Sequence, residues 1–552
     1  MAKTGAFQTL LTRLEVPIDQ DAEYRNDTYC NRDLIPIPPA RRTYKIWSFV
    51  VYWIVSGACI SAYSTGSSLL AYGLNAQQAM ACVVVGGILS GLLAVVCGWM
   101  GEVHHIGFTV SSRFSWGMKL FYFPVVLRSF TSIFWFGIQA YWGGQAARVA
   151  LGALIPGFAH MKNTIPLSSN ITTNDLIGTL IWYIAYIPLV LVPPEKMQRP
   201  FLVTGIMFGM TLVGLLIWAV KNAGGGGPLF HTPQTTPNVG WSVMFGITSI
   251  LGSWGAGTLG QSDWTRYAER RYAPTISQLV AAPVMITITA LIGVVVTSAS
   301  SEILGVLYWS PVELLGMIQE HYHSSPRVRA GVFFGGLGCF VSQLSINVVL
   351  NSVSTGMDVA GLWPRYINIR RGAYLNAALG VAACPWEILA SAGTFLTVIS
   401  GFGVFLAPLT GIMLADYLIV RKRILSIPDL YLGSRDSIYW YTAGCNFRAV
   451  LAWVLGVWPI MPGFVMTICD PTTDNNWVKL FNIAFIVGLS ISFFATLAIA
   501  AVWPPPYQYV GLPYLDDAVP FGSAPGSKEA ERVSAVGGDT KDEKRSGDEE
   551  SL

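Results

Sequence analysis

Two stretches decide how this chain folds: WIVSGACISAYSTGSS at residues 53–68 and ILGSWGAGTLGQSDW at residues 250–264. Each lies inside a long apolar run, and each is dense in Gly, Ser, Ala and Thr midway. A helix that unwinds inside lipid frees backbone N–H and C=O groups that hydrocarbon cannot satisfy. Such groups must face a substrate, an ion or water. Small residues that only let helices pack closely are the competing reading. Spacing favours the first. Four further apolar runs separate the two stretches, so they hold equivalent places in two halves of five spans. A matched pair of interrupted helices marks the binding site of transporters built from an inverted repeat.

Composition supports a chain that lives in lipid. Of 552 residues, 53% are hydrophobic and only 12% charged. A soluble domain carries about a quarter charged residues. That excludes a disordered protein and an ordinary soluble enzyme. The net charge of +3 is too small to imply a nucleic-acid partner. The apolar excess lies within residues 46–503, read as one transporter domain between polar tails at 1–45 and 504–552. One span needs about 20 apolar residues. The runs predict an all-α polytopic membrane protein with twelve spans: 46–73, 78–100, 121–153, 174–193, 201–220, 241–263, 276–300, 330–357, 372–388, 394–420, 447–468 and 480–503. The ninth is short and interrupted by Pro385.

Charge between the spans sets the orientation. With the N-terminus inside, inner connections hold fourteen Lys and Arg and outer ones five. Both tails are therefore expected in the cytoplasm. The sequon Asn170-Ile171-Thr172 then falls outside, in agreement, and a second at Asn26 falls inside. The first 45 residues contain no cleavable signal pattern. The C-terminal tail begins Pro504-Pro505-Pro506 and thins into Gly, Ser and mixed charge, a disordered composition. Its Lys528, Lys541 and Lys544 are candidate points of ubiquitin-ligase contact, set against a plain solvated tail. The eight cysteines include no Cys-x-x-Cys pair and read as core packing, with Cys469 alone placed near an outer surface.

Polar side chains at membrane depth are expensive and so are functional candidates. Span three carries Trp135 and Gln139, four residues apart and on one helical face. Span eight carries Asn347 and Asn351 at the same spacing. Trp254, beside Ser253, is expected in the break of span six. Tryptophan offers a flat stacking face, and an amide offers both donors and an acceptor. An aromatic sandwich with uncharged amides suits a small, planar, neutral ring. Ordinary core packing and interhelical hydrogen bonds are the plainer alternatives. Asp263 ends span six with Arg266 three residues on, an expected ion pair. Asp358, Asp416 and Glu387 are the other acids near helix ends, each a candidate for capping, gating or carrying a proton. No metal-ligand spacing, P-loop, Gly-x-Ser-x-Gly or catalytic carboxylate pair occurs, so neither ATP-driven transport nor hydrolysis is supported.

Longer motifs carry a resemblance. NRDLIPIPPARRTY before span one, FGIQAYWGGQ in span three, SDWTRYAER after span six and NSVSTGMD in span eight are among them. LWPRYINIRRGAY at 362–374, ACPW at 383–386 and ADYLIVRKR at 415–423 complete the set. From about residue 31 to 505 the chain resembles the nucleobase–cation symporter-1 family, in its fungal Fur-type branch of uracil, allantoin, uridine, uric acid, thiamine and nicotinamide riboside permeases. The resemblance implies a LeuT-type fold of two inverted five-helix repeats plus two C-terminal helices. It implies substrate roles for Trp135, Gln139, Trp254 with Ser253, and Asn351. Family members that use sodium place hydroxyls on span eight near Ser345 and Ile346; isoleucine cannot ligate a hard cation, so a sodium site is not expected and a proton is the expected coupling ion. No other cofactor is implied.

The leading expectation is a proton-coupled importer of uracil, allantoin or a related purine or pyrimidine compound, at the plasma membrane. Phe395 and Leu396 on span ten are expected as an outer gate, and Asp263 with Arg266 as an inner one. Substrate motifs are mixed. The run Gly260-Gln261-Ser262-Asp263 lacks the Asn usual in uracil and allantoin members, and GMDVAGLWP at 356–364 looks like the thiamine and nicotinamide riboside carriers. A vitamin carrier is the alternative, with a cationic ring held by cation–π contact. A non-transporting nutrient sensor is a third, disfavoured by the short, featureless tail.

Overall fold

Span one breaks where the sequence places its small residues. A computed structural model describes residues 12–18 and 26–505. In it α1 consists of Ile46–Gly57 and Ile60–Ala71, bent by 45°. Ala58 and Cys59 leave the helical conformation, at φ −99°, ψ 82° and φ −147°, ψ 169°. The other long helices are α2 (Ala76–His104), α3 (Tyr122–Leu154), α4 (Thr173–Leu189), α5 (Gln198–Ala223), α6 (Val239–Leu259) and α7 (Ala273–Leu304). They continue with α8 (Pro326–Leu362), α9 (Ile369–Ala382), α10 (Ala392–Val420), α11 (Phe447–Val457 and Met461–Cys469, bent by 47°) and α12 (Ala484–Val502). Each expected span is thus helical. Among the described residues six helices, α2, α5, α7, α8, α10 and α12, are long and apolar enough to cross a membrane, and the bent α1 and α11 raise the number to eight. The shorter α4 and α9 have 17 and 14 residues.

Packing follows a rule. α1 lies on α5 and α7, while α6 lies on α10 and α2. α3 lies on α4, and α8 on α9. α2 pairs with α7 and α3 with α8. A shift of five exchanges the first pairings and leaves the last two unchanged. α11 and α12 stack outside, on α10.

Three expectations need correction. First, α6 does not break at Trp254; it runs on to Leu259, and the interruption comes at Gly260-Gln261 before a single turn, Ser262–Thr265. Gly252 upstream serves close approach instead: a Cβ there would collide with the Ile399 carbonyl of α10. The packing reading therefore holds for that part of the stretch, and the unwinding reading holds for α1. Second, residues 26–45 of the polar N-terminal segment carry buried side chains. Leu34, Ile37 and Tyr44 are buried, and Asn31 Nδ2 donates to the Pro364 and Ile367 carbonyls at 3.0 and 3.1 Å. This segment carries apolar side chains between its polar ones and buries them against the loops. Third, Cys384 is exposed as well as Cys469. It stands at φ 46° before Pro385, in a turn that ends α9 and so cannot enter the core. The candidate lysines of the C-terminal tail lie outside the described residues.

Close approach also governs α1 against α7. A Cβ on Gly66 would stand 2.6 Å from the Ala290 carbonyl, and backbone cannot move aside. Gly66→Val is expected to cost about 1–3 kcal/mol and to lower the unfolding midpoint in detergent. Gly209→Val, facing open space, is the matched control. Equal midpoints for the two would rule out the close-approach role of Gly66.

Candidate substrate site

The break in α1 opens onto a cavity of about 30 Å³. Ser56 and Ser61, on either side of the break, form one wall. Trp135 and Gln139 come from α3, Ser253 and Trp254 from α6, and Leu350 and Asn351 from α8. Every lining side chain is uncharged. Gln139 Nε2 donates to Ser61 Oγ at 3.0 Å, which fixes the amide and aims its other end. Gln139 Oε1, Trp135 Nε1 and Ser56 Oγ are buried and have no hydrogen-bond partner among the described residues. Leaving a buried polar group unpaired costs about 1–3 kcal/mol. Three such groups around one cavity offer two donors and an acceptor to a ligand. Ser253 Oγ lies 3.4 Å from Thr65 Oγ1, tying α6 to the second half of α1.

α8 changes its winding where it meets this cavity. Asn347–Val353 forms a π-helical segment inside the span. Wider turns of this kind recur at functional sites because they displace side chains from the α register. Here Asn351 Nδ2 donates to Asn347 Oδ1 at 2.8 Å, and Asn347 Nδ2 donates to the Phe136 carbonyl of α3 at 3.1 Å. Asn347 is thus spent at both ends of its amide and is fully buried. Asn347, a candidate for substrate contact, is not among the residues lining the cavity; it stands behind Asn351 and accepts its amide.

An aromatic plug adjoins the cavity. Phe395 of α10 stacks on Trp309 at 5.4 Å and meets Trp142 and Trp135 edge-on at 5.6 and 6.4 Å. Phe395 and its neighbour Leu396 are completely buried. Phe395 therefore sits beside Trp135, and both expected gate residues on α10 lie within the packed interior.

The charged feature nearby differs from expectation. Asp263 does not pair with Arg266. Its Oδ2 accepts from Arg128 Nη2 at 2.7 Å, and its Oδ1 from the Phe108 N–H at 2.9 Å. Arg128 also reaches Asp358, through Nε at 2.7 Å and Nη2 at 2.8 Å. Thr109 adds a hydroxyl bond to Asp358 at 2.8 Å. Arg266 instead donates to the Asp33 carbonyl at 2.7 Å and the Tyr267 hydroxyl at 3.0 Å. Geometry explains the exchange. The chain turns after Gly260, so Asp263 points inward to α3, while Arg266 reaches the segment before α1. Asp263 also sits at the N-terminus of the helix Phe108–Trp116, where backbone N–H groups favour an anion. Arg128 was missed in the sequence, although an arginine inside a predicted apolar span is itself a signal. The remaining acids are held elsewhere: Asp416 faces Arg421 at 3.2 Å, and Glu387 accepts from Asn170 at 2.9 Å.

Broken helix, neutral amide-lined cavity and buried charge cluster are features that fit a membrane transporter. The family described as "Permease for cytosine/purines, uracil, thiamine, allantoin" matches residues 36–488. The chain belongs to that nucleobase–cation-symport-1 family. It is 33% identical to the transporter aclS of Aspergillus oryzae, over 90% of this chain and 91% of that protein. It is 30% identical to the uracil permease of Saccharomyces cerevisiae, over 86% of this chain and 76% of that one. The thiamine transporter of the same yeast is also 30% identical, over 89% and 82%. Among solved structures, Mhp1, a nucleobase-cation-symport-1 transporter in a closed conformation with bromovinylhydantoin bound, superposes with a TM-score of 0.66. That match has 19% identity and covers 87% of this chain and 98% of Mhp1.

The Arg128 cluster yields a stability prediction. Removing its single cation strands two buried carboxylates. Arg128→Leu is expected to cost about 3–5 kcal/mol, seen as a lower melting midpoint in detergent. Adding Asp263→Asn and Asp358→Asn is expected to recover part of it. A single variant as stable as wild type would show that the cluster carries no such interaction.

Proposed function

We propose that this protein is a proton-coupled importer of a small uncharged heterocycle of the uracil and allantoin kind. One observation carries the reading: the cavity beside the α1 break is lined by two tryptophans, two amides and hydroxyls, with no charged side chain. A lactam ring presents adjacent donors and acceptors at its edge and a flat π-face. Trp135 and Trp254 would take the faces. Gln139 Oε1 would accept an N–H, and Asn351, held by Asn347, would bond the opposite edge. The cavity of about 30 Å³ is close to the size needed for one or two waters, so admitting a ring requires the walls to part.

The exchange of pairings under a shift of five supports two repeats of opposite orientation. An odd shift reverses the direction of every equivalent helix. Twelve crossings, both tails in the cytoplasm and a plasma-membrane location complete the proposal. The excess of basic residues on the inner connections supports the orientation. α1 and α6 would rock against the rest, with Phe395 and Leu396 closing the outer side and the Arg128 cluster, rather than Asp263 with Arg266, closing the inner side. The cluster holds two carboxylates for one guanidinium. A bound proton would bring it to neutrality, which supports proton coupling. Ile346 has no side-chain oxygen to offer a sodium ion.

A carrier for thiamine or nicotinamide riboside is the rival reading. The relatives do not separate the two, since uracil and thiamine carriers are equally similar at 30%. The neutral lining favours an uncharged ring, because it provides no carboxylate to balance a cation.

In cells lacking their own carriers, Gln139→Ala and Asn351→Ala are expected to reduce uptake about tenfold or more while reaching the membrane normally. Unchanged uptake in both would sink the site assignment. Labelled uracil or allantoin uptake should be competed by unlabelled lactams and not by thiamine. A protonophore should abolish uptake, and replacing sodium should leave it unaltered; the reverse pattern would overturn the coupling.

A further inference from the structure

A groove far from the substrate cavity has no part in the transport reading. It measures about 550 Å³ and runs between α5 and α8, with the helix Pro311–His321 as its third wall. Its lining is almost wholly apolar, and Met210 and Phe334 stand out from it at 64% and 68% exposure. These residues face the hydrocarbon in a chain that lives in a membrane. Two lining glycines, Gly214 and Gly331, have open space where a Cβ would stand. Those missing side chains leave the helix pair with a trough instead of a filled seam.

Length and charge identify the occupant. The lining runs from Met207 to Trp218 on α5 and from Arg327 to Gly338 on α8. At 1.5 Å per residue each stretch covers about 16 Å, close to one leaflet of a hydrocarbon core about 30 Å thick. One end is marked by Trp218, a residue type that favours the membrane–water interface. The same end carries Arg327, which is exposed and makes no ion pair among the described residues. Its neighbour Arg329 is committed to the Ala153 and Leu154 carbonyls, the first at 2.7 Å and the second at 2.8 Å. A guanidinium matches a phosphate with paired hydrogen bonds.

We propose that this groove binds one glycerophospholipid, with an acyl chain lying between α5 and α8 and its phosphate on Arg327. The placement in the outer leaflet rests on the orientation proposed above. The site joins two helices with distinct duties: α8 carries Asn351, and α5 packs on α1 through Gly205 against Ile54. A lipid seated there touches both without entering the substrate cavity.

The test reads retained lipid, so its failure and that of the substrate reading are separable. The full chain is purified in detergent from yeast membranes, exchanged extensively, and its bound lipid is counted by mass spectrometry. Wild type is expected to keep about one phospholipid per chain. Arg327→Gln is expected to keep about tenfold less, and Arg327→Lys to keep an intermediate amount. Gly214→Leu with Gly331→Leu fills the trough and is expected to keep none. Adding dioleoylphosphatidylcholine to delipidated protein should raise the melting midpoint of wild type and not of the filled variant. Equal retention in all variants would overturn the proposal. So would enrichment of sterol without phospholipid, or a chain dimer in which a crosslink from Phe334 shows the groove covered by a second copy.

Discussion

The structure depends on one constraint: in hydrocarbon every backbone N–H and C=O must find a partner inside the protein. Most of the chain meets it with unbroken helices. The residues around Ala58-Cys59 do not, and Asn347–Val353 meets it with a wider winding. Both irregularities border the same cavity, and both are tolerated because neighbouring helices shield them from lipid. Irregular backbone and candidate substrate site coincide because each needs what the other supplies. The break needs polar company, and a polar ligand needs groups not already spent on a helix.

The same economy explains the division of labour among the amides. Gln139 is half-spent on Ser61 and keeps its carbonyl free. Asn347 is spent twice, on Asn351 and on Phe136, and so acts as a support. Residue type does not distinguish these roles; the partners do. The charged cluster obeys a parallel rule. Arg128, Asp263 and Asp358 are all completely or almost completely buried. Such charges persist only when each holds another. They draw α3, the turn after α6 and the C-terminal part of α8 to one point, with Phe108 and Thr109 completing the shell.

Much of this was legible beforehand because membrane helices follow composition closely. Twelve apolar runs, the small residues of 53–68, and the spacing of Trp135 with Gln139 all have local causes. The misreadings share a different cause. Gly252 looked like part of an unwinding signal, yet its role is set by α10, about 150 residues away in sequence, whose Ile399 carbonyl stands over it. Asp263 and Arg266 looked like a pair because they are near in sequence. The turn after Gly260 sends them apart, and Arg128 arrives from a helix that sequence spacing cannot bring near.

The sequence by itself determined the membrane class, the helices, the break in α1 and the residue types around the cavity. These follow from hydropathy, helix periodicity and the intolerance of lipid for unpaired backbone. Only the tertiary structure decided which partner each buried polar group takes. It assigned Asp263 to Arg128, moved Asn347 behind Asn351, folded residues 26–45 onto the helix ends and left the trough beside Arg327. A buried polar atom is committed by whatever lies within about 3 Å, and that distance is set by helices remote in sequence.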